Sequence, residues 1–234
     1  MSSIRVIAGR FGGRLLDAPK GNNKQTKPMG ERIRNAMFNS LGNEVVGARV
    51  LDAFAGTGAI GLEALSRGAA HVTFIERDKI AQKILSNNVS SLGAQCETKT
   101  INASVNSWIE SSGAGTYDII FADPPYLLSN DGFTCQNGQM VSVNKGSWDK
   151  SKGLAADLEF YEEWLRLCYA LLKPNGTIWV CGTYHNIYLT GYLMQVIGYH
   201  ILNNITWEKP NPPPNLSCRF FTHSTETLLW AKKK

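Results

Sequence analysis

Val50-Leu51-Asp52-Ala53-Phe54-Ala55-Gly56-Thr57-Gly58-Ala59-Ile60-Gly61 is the stretch on which the fold turns. A short apolar strand, Val50 to Phe54, runs into a glycine turn, and a helix follows to about Arg67. Gly56 and Gly58 let the backbone turn tightly and approach a ligand, while the helix N-terminus presents free N–H groups. A second strand, His71 to Ile75, leads to Glu76, eighteen residues after Gly58. That is close to the spacing of an acidic residue that grips ribose hydroxyls. These features predict a nucleoside-cofactor pocket at the carboxyl edge of a parallel sheet. Gly61 completes G-x-G-x-x-G, so the glycines alone leave a dinucleotide open. Asp52, four residues before Gly56, suits the amino group of a methionine-like moiety better than a pyrophosphate.

Outward from this unit the strand–helix alternation continues. Asp78 to Leu92 reads as a helix opened by an acid, 96–101 as a weaker third strand, and Tyr117 to Ala122 as a fourth. Residues 127–156 are rich in Ser, Asn, Gly and Lys and read as a long functional or mobile loop. A helix from Asp157 to Lys173 then precedes a Pro174-Asn175-Gly176 turn. The strand Thr177 to Cys181, the helix Tyr184 to Ile197 and the strand Tyr199 to Trp207 follow. Strand Glu226 to Ala231 is reached with no intervening helix, so it pairs antiparallel with 199–207. Before the alternation, two short apolar runs flank Gly9 to Gly13 as a β-hairpin, and 31–42 forms a helix with Ile33, Met37, Phe38 and Leu41 on one face. The expected fold is α/β: a doubly wound, seven-stranded Rossmann-like sheet whose last strand is antiparallel, plus an N-terminal β-hairpin arm. Residues 1–42 are expected to be the substrate arm and 43–234 the cofactor-binding domain.

Asp123-Pro124-Pro125-Tyr126 follows the fourth strand, at the same carboxyl edge. These residue types suit one chemistry. An exocyclic base amine is a poor nucleophile because its lone pair is delocalised into the ring. The Asp123 carboxylate and the Pro124 carbonyl can accept its two hydrogens and favour a tetrahedral nitrogen. The prolines pre-organise the acceptors, and Tyr126 offers a ring for an extruded base.

The chain has 234 residues, 43% of them hydrophobic and 18% charged, which excludes a disordered chain. No apolar run is long enough for a bilayer, and Met1-Ser2-Ser3-Ile4-Arg5 has no signal-like apolar region. Five dispersed cysteines with no C-x-x-C pair argue against a zinc site or a disulfide framework. His185, His200 and His223 have no metal-ligand spacing. A cytoplasmic monomer without metal or membrane association is expected. The net charge of +5 is uneven. Residues 1–42 carry Arg5, Arg10, Arg14, Lys20, Lys24, Lys27, Arg32 and Arg34 against Asp17 and Glu31, which leaves the remainder at −1. Such an arm suits a polyanion, and Arg5, Arg10, Arg14, Lys27, Arg32 and Arg34 are the candidate nucleic-acid contacts. A solubilising terminus is the alternative, with contacts moved to Lys145, Lys150 and Lys152. Phe220, Phe221 and His223 lie in the loop before the last strand; Phe221 reads as core or as a base wall, and Trp148 as an anchor or a stacking surface.

The two motifs together resemble S-adenosylmethionine (AdoMet)-dependent methyltransferases that modify base amino groups. The resemblance implies cofactor contacts from Asp52, Phe54, Gly56, Gly58, Glu76 and Asp123, and catalysis at Asp123, Pro124, Pro125 and Tyr126. Residues 4–126 resemble the bacterial 16S rRNA guanine-N2 methyltransferase (RsmD-like) family. Arg5-Val6-Ile7-Ala8-Gly9, Lys27-Pro28-Met29-Gly30-Glu31-Arg32-Ile33-Arg34 and Asp52 to Ala69 carry that likeness. Residues 127–234 instead resemble type II DNA adenine-N6 methyltransferases, through Lys173-Pro174-Asn175-Gly176-Thr177-Ile178, Trp207 to Pro214 and Thr225 to Lys232. The chain therefore reads as a chimera joined at the shared Asp-Pro-Pro-Tyr. The arm favours guanine N2 of 16S rRNA, in the 30S particle or as naked RNA, over DNA adenine N6. An inactive AdoMet- and RNA-binding chimera is the third reading.

Overall fold

A computed structural model describes residues 4–19, 29–109, 113–129, 133–136, 139–144, 146–212, 214, 219 and 221–234. A hairpin of β1 (Ile4–Arg5) and β2 (Leu15–Leu16) leads to α1 (Glu31–Leu41). Then come β3 (Arg49–Asp52), α2 (Ala59–Ser66), β4 (His71–Glu76), α3 (Lys79–Ser91), β5 (Thr98–Asn102), α4 (Val105–Ile109) and β6 (Tyr117–Ala122). A second hairpin, β7 (Phe133–Gln136) and β8 (Gln139–Ser142), precedes α5 (Leu154–Leu171), β9 (Leu172–Gly182), α6 (Ile187–Ile197), β10 (Tyr199–Glu208) and β11 (Thr225–Lys233). The main sheet has seven strands in the order β10-β11-β9-β6-β3-β4-β5. The pairs β9-β6, β6-β3, β3-β4 and β4-β5 are parallel, while β11 is antiparallel to both its neighbours. β11 thus brings its amino end to the edge where the parallel strands present their carboxyl ends.

Strand alternation divides the core into two layers, because successive side chains point to opposite faces. Val50, Phe74, Ile119, Phe121 and Trp179 pack under α1, α2 and α3. Leu51, Ile75, Ile120, Ala122, Ile178 and Val180 pack under α5 and α6. The Asp78 carboxylate caps α3 by accepting the N–H groups of Ile80 and Ala81, which explains the acidic opening of that helix. Every residue of α2 is buried, because the helix lies between the sheet and the N-terminal hairpin. The hairpin and α1 share the sheet's core through Val6, Leu16, Met37, Phe38 and Leu41.

Several sequence expectations need correction. Arg34 is no surface cation: it is fully buried, and its guanidinium donates to the carbonyls of Met29 (3.0 Å) and Arg5 (2.6 Å). It ties the hairpin to α1. The segment 127–156 is partly structured, since it holds β7, β8 and a 3-10 turn at Ser147–Asp149. The helix expected from Asp157 starts earlier, at Leu154, where Asp157 instead accepts the Lys152 N–H across the helix start. Lys173 to Gly176 lie within β9, with Asn175 at φ 62°. α4 and the residues preceding it carry too few apolar positions to announce a helix.

Candidate active site

The carboxyl ends of β3, β4 and β6 carry Asp52, Glu76 and, one residue beyond, Asp123. Glu76 is half-buried. One oxygen accepts the Gly56 N–H (2.8 Å) and the other the Asp78 N–H (2.7 Å), so the carboxylate braces the glycine turn. A carboxylate has about four acceptor positions, so capacity for hydroxyl donors remains. Phe54 is half-exposed at the same edge and meets Trp164 edge-on. Gly58 adopts φ 81°, and a Cβ there would lie 2.3 Å from Leu85 Cδ1. A Cβ on Gly61 would lie 2.3 Å from the Phe74 ring. These two glycines therefore admit close packing of α2 on α3 and the sheet, in addition to the turn itself.

Asp52 is 1% exposed and accepts the Gly61 N–H at 3.0 Å. This bond ties the expected cofactor contact to the start of α2. Burial pushes its carboxyl up to about 7. The Gly61 hydrogen bond opposes this, and the charges of Asp123 and Glu76 add to it. Three carboxyl groups on adjacent strand ends thus feel one another. A pyrophosphate would be repelled here, whereas a sulfonium or ammonium cation would be attracted. An acid raised in the folded state binds protons there that the unfolded chain releases near 3.8, so it costs stability as pH climbs. Asp52→Asn keeps an acceptor for Gly61 and removes the charge. Its gain over wild type in urea unfolding is expected to grow from about pH 4 to about pH 7 and then level off. A pH-independent difference would contradict this.

Pro124 is buried, and Asp123, Pro125 and Tyr126 are half-buried. The Tyr126 hydroxyl donates to Asp123. Burial, then the Asp123 charge, raises the Tyr126 phenol well above its usual range, which keeps the donor protonated. Behind the turn, the Tyr161 hydroxyl donates to the Pro125 carbonyl, and Asn186 Nδ2 donates to Tyr161 (2.8 Å). Ahead of it, the fully buried Asp149 accepts the Leu127 N–H (3.0 Å) and the Ser129 hydroxyl (2.9 Å). Leu127 sits at φ 60°, uncommon for a residue with a side chain. Sequence reasoning missed Asp149, Tyr161 and Asn186. The one signal was a lone acid beside an aromatic in a polar segment. Asp149→Ala removes the acceptor of the Leu127 N–H and of one bond from the Ser129 hydroxyl, with an expected loss of about 1–3 kcal/mol in urea unfolding. Full stability would remove Asp149 from the support of the turn.

Of the expected arm contacts, Arg5, Arg10, Arg14 and Arg32 are exposed. Arg5 pairs with Glu31 (3.2 Å), Arg10 with Glu97 (2.6 Å), and Arg14 donates to the Ser91 carbonyl (2.9 Å). Lys20, Lys24, Lys27, Lys145 and Phe220 lie outside the described residues. Phe221 is 96% exposed, which removes it from the core. Trp148 is half-buried. Among the described residues no cluster of His, Cys, Asp and Glu could hold a metal, and no helix is long and apolar enough to cross a membrane.

Residues 4–142 match the family described as Conserved hypothetical protein 95, and residues 117–234 match the DNA methylase family. The chain belongs to both families. The matches overlap over 117–142, which includes Asp123 to Tyr126, so the joint expected at that motif is where the two families meet. The type II methyltransferase M2.DpnII of Streptococcus pneumoniae is 59% identical over 116 residues, covering 50% of this chain and 43% of that protein. M.HinfI of Haemophilus influenzae is 42% identical over 117 residues, 50% of this chain and 33% of that protein. The chain therefore spans less than half the length of these curated relatives. Among solved structures, yhhF of Escherichia coli superposes with a TM-score of 0.63 at 24% identity, covering 100% of this chain and 99% of that one. The precorrin-6y C5,15-methyltransferase of Geobacter metallireducens gives 0.59 at 14% identity, covering 88% and 90%. The seven-stranded sheet with one antiparallel strand near its end is thus the Rossmann-like methyltransferase architecture.

Proposed function

We propose that the chain transfers a methyl group from AdoMet to an exocyclic amino group of a nucleic-acid base. The observation that carries this reading is the trio of carboxyl groups at one sheet edge, with Asp123 in a braced Asp-Pro-Pro-Tyr turn. AdoMet, which supplies an electrophilic methyl on a sulfonium, fits this donor set. Glu76 takes ribose hydroxyls, Phe54 offers an apolar face, and the glycine turn lets backbone approach the ligand. Asp52 contributes through its field rather than by contact. Asp123 accepts one amine hydrogen and the Pro124 carbonyl the other, which draws the nitrogen lone pair out of conjugation. Tyr126 stacks on the base while its hydroxyl holds Asp123 in place.

For the target, DNA adenine N6 is the better reading. The walls beyond Tyr126 fall in the segment that matches the DNA methylase family. The arm's charge, which favoured 16S rRNA, is reduced by the burial of Arg34 and the pairing of Arg5 and Arg10. Guanine N2 of 16S rRNA stays as the second reading because residues 4–142 belong to the other family. Tritiated-methyl transfer from AdoMet to duplex DNA, naked 16S rRNA and 30S particles separates the two, and label on DNA adenine is the expected result. Label only on RNA would favour the second reading, and no label with AdoMet bound would leave a binding chimera. A monomer in the cytoplasm that works without metal or membrane is proposed.

A further inference from the structure

Resting on that functional reading, we infer that Tyr184, His185 and His223 form a stacking platform for the nucleotide next to the target base. The topology assembles it. β9 ends at Gly182, and Gly182 is the register partner of Thr227 in the antiparallel β11. Residues just after β9 and just before β11 therefore meet at the edge that carries Asp123. There the rings of Tyr184 and His223 stack with centroids 3.8 Å apart and an interplanar angle of 14°. The His185 ring lies 3.9 Å from Tyr184, tilted by 36°. All three residues are exposed, so the stack builds no core. Rings ordered before binding give a flat surface whose entropy cost is already met on folding.

The occupant follows from position and shape. Neighbouring strands lie about 5 Å apart, so the end of β9 is one spacing from Asp123 and the start of β11 is two. The rings thus stand to one side of the base held by Tyr126, a position that suits the adjoining nucleotide. The two places are continuous, because β9, which leads to the platform, pairs directly with β6, which leads to Asp123, and the charge of Glu226 on β11 reaches Tyr126. His185 in turn feels the charge of Asp149, which holds the segment after Tyr126. An exposed stack of rings beside a base-modifying turn matches a base, which stacks on aromatic rings whatever its identity.

The test uses the full chain and an oligonucleotide bearing the methylated site, intact or abasic at the 5′ or the 3′ neighbour. Fluorescence anisotropy reads affinity, calorimetry with AdoMet reads the cofactor site, and thermal melting checks folding. Tyr184→Ala is expected to weaken binding of the intact strand about tenfold, the scale of one lost base stack, with Tyr184→Phe restoring it. An abasic neighbour on one side should weaken wild type equally and leave Tyr184→Ala no weaker still. His223→Ala should act in the same direction. Unchanged affinity in folded Tyr184→Ala and His223→Ala, or a loss that persists undiminished on both abasic strands, would overturn the platform alone. A wild type that binds AdoMet but no nucleic acid would overturn the functional reading with it.

Discussion

Asp123→Ala is expected to lower methyl transfer by at least ~100-fold, the scale of losing one oriented polar stabiliser. AdoMet affinity should fall far less than turnover, because the carboxylate acts chiefly on the target amine and is only one of three acids at the cofactor's edge. Single-turnover transfer and calorimetry on the same preparation check both halves. The surroundings sharpen the expectation. Tyr161 fixes the Pro125 carbonyl and Asp149 the Leu127 N–H, so the turn keeps its shape when the Asp123 side chain, and with it the bond from Tyr126, is removed. Asp123→Asn retains an oxygen but offers an amide where a proton must be accepted, and it should also be strongly impaired. Loss of the Asp123 charge should lower the Asp52 carboxyl toward its ordinary range, since Asp123 is among the charges that raise it. Near-wild-type turnover in folded Asp123→Ala would remove the carboxylate from the chemistry.

The fold was legible where apolar periodicity and glycine spacing coincide. Val50 to Gly61, the capped opening of α3 at Asp78 and the antiparallel return of 226–231 all lie where the sequence places them. In each case a local pattern and the global topology demand the same residue types. Asp52 was read only for a ligand, without its tie to Gly61, because an acid at a strand end looks alike whether it faces a ligand or turns inward to cap the next helix. Arg34 was misread for a similar reason. Counting cations assigns charge to the surface, and only the tertiary fold shows two backbone carbonyls waiting for a guanidinium. Asp149 and Tyr161 support the turn from 22 or more residues away in sequence, so no local spacing could announce them.

Glu63→Ala is expected to be among the most destabilising single changes in the chain, at about 3–5 kcal/mol, because it strands donors that a buried carboxylate satisfied. Glu63 is fully buried in the middle of α2. One oxygen accepts the Ile7 N–H at 2.7 Å. The other accepts the Ala8 N–H at 3.1 Å and the Arg67 guanidinium at 2.7 Å. A charge in an otherwise apolar helix is tolerated because the hairpin brings two backbone donors to it and Arg67 neutralises it. Ser66 extends the same seam, taking the Phe11 N–H at 2.9 Å while its carbonyl takes the Arg10 N–H at 2.9 Å. The hairpin is therefore fastened to the helix that begins at the glycine turn, and loosening one should loosen the other. Urea unfolding should show the loss, and hydrogen exchange should rise first at Ile7 and Ala8. AdoMet affinity should fall as well, although Glu63 touches no ligand, because α2 sets the position of Gly56 and Gly58. Glu63→Gln should recover part of the loss by keeping one acceptor for the backbone, without the charge that pairs with Arg67. A Glu63→Ala protein as stable as wild type, with Ile7 and Ala8 still protected, would show that the hairpin is held by its apolar contacts alone.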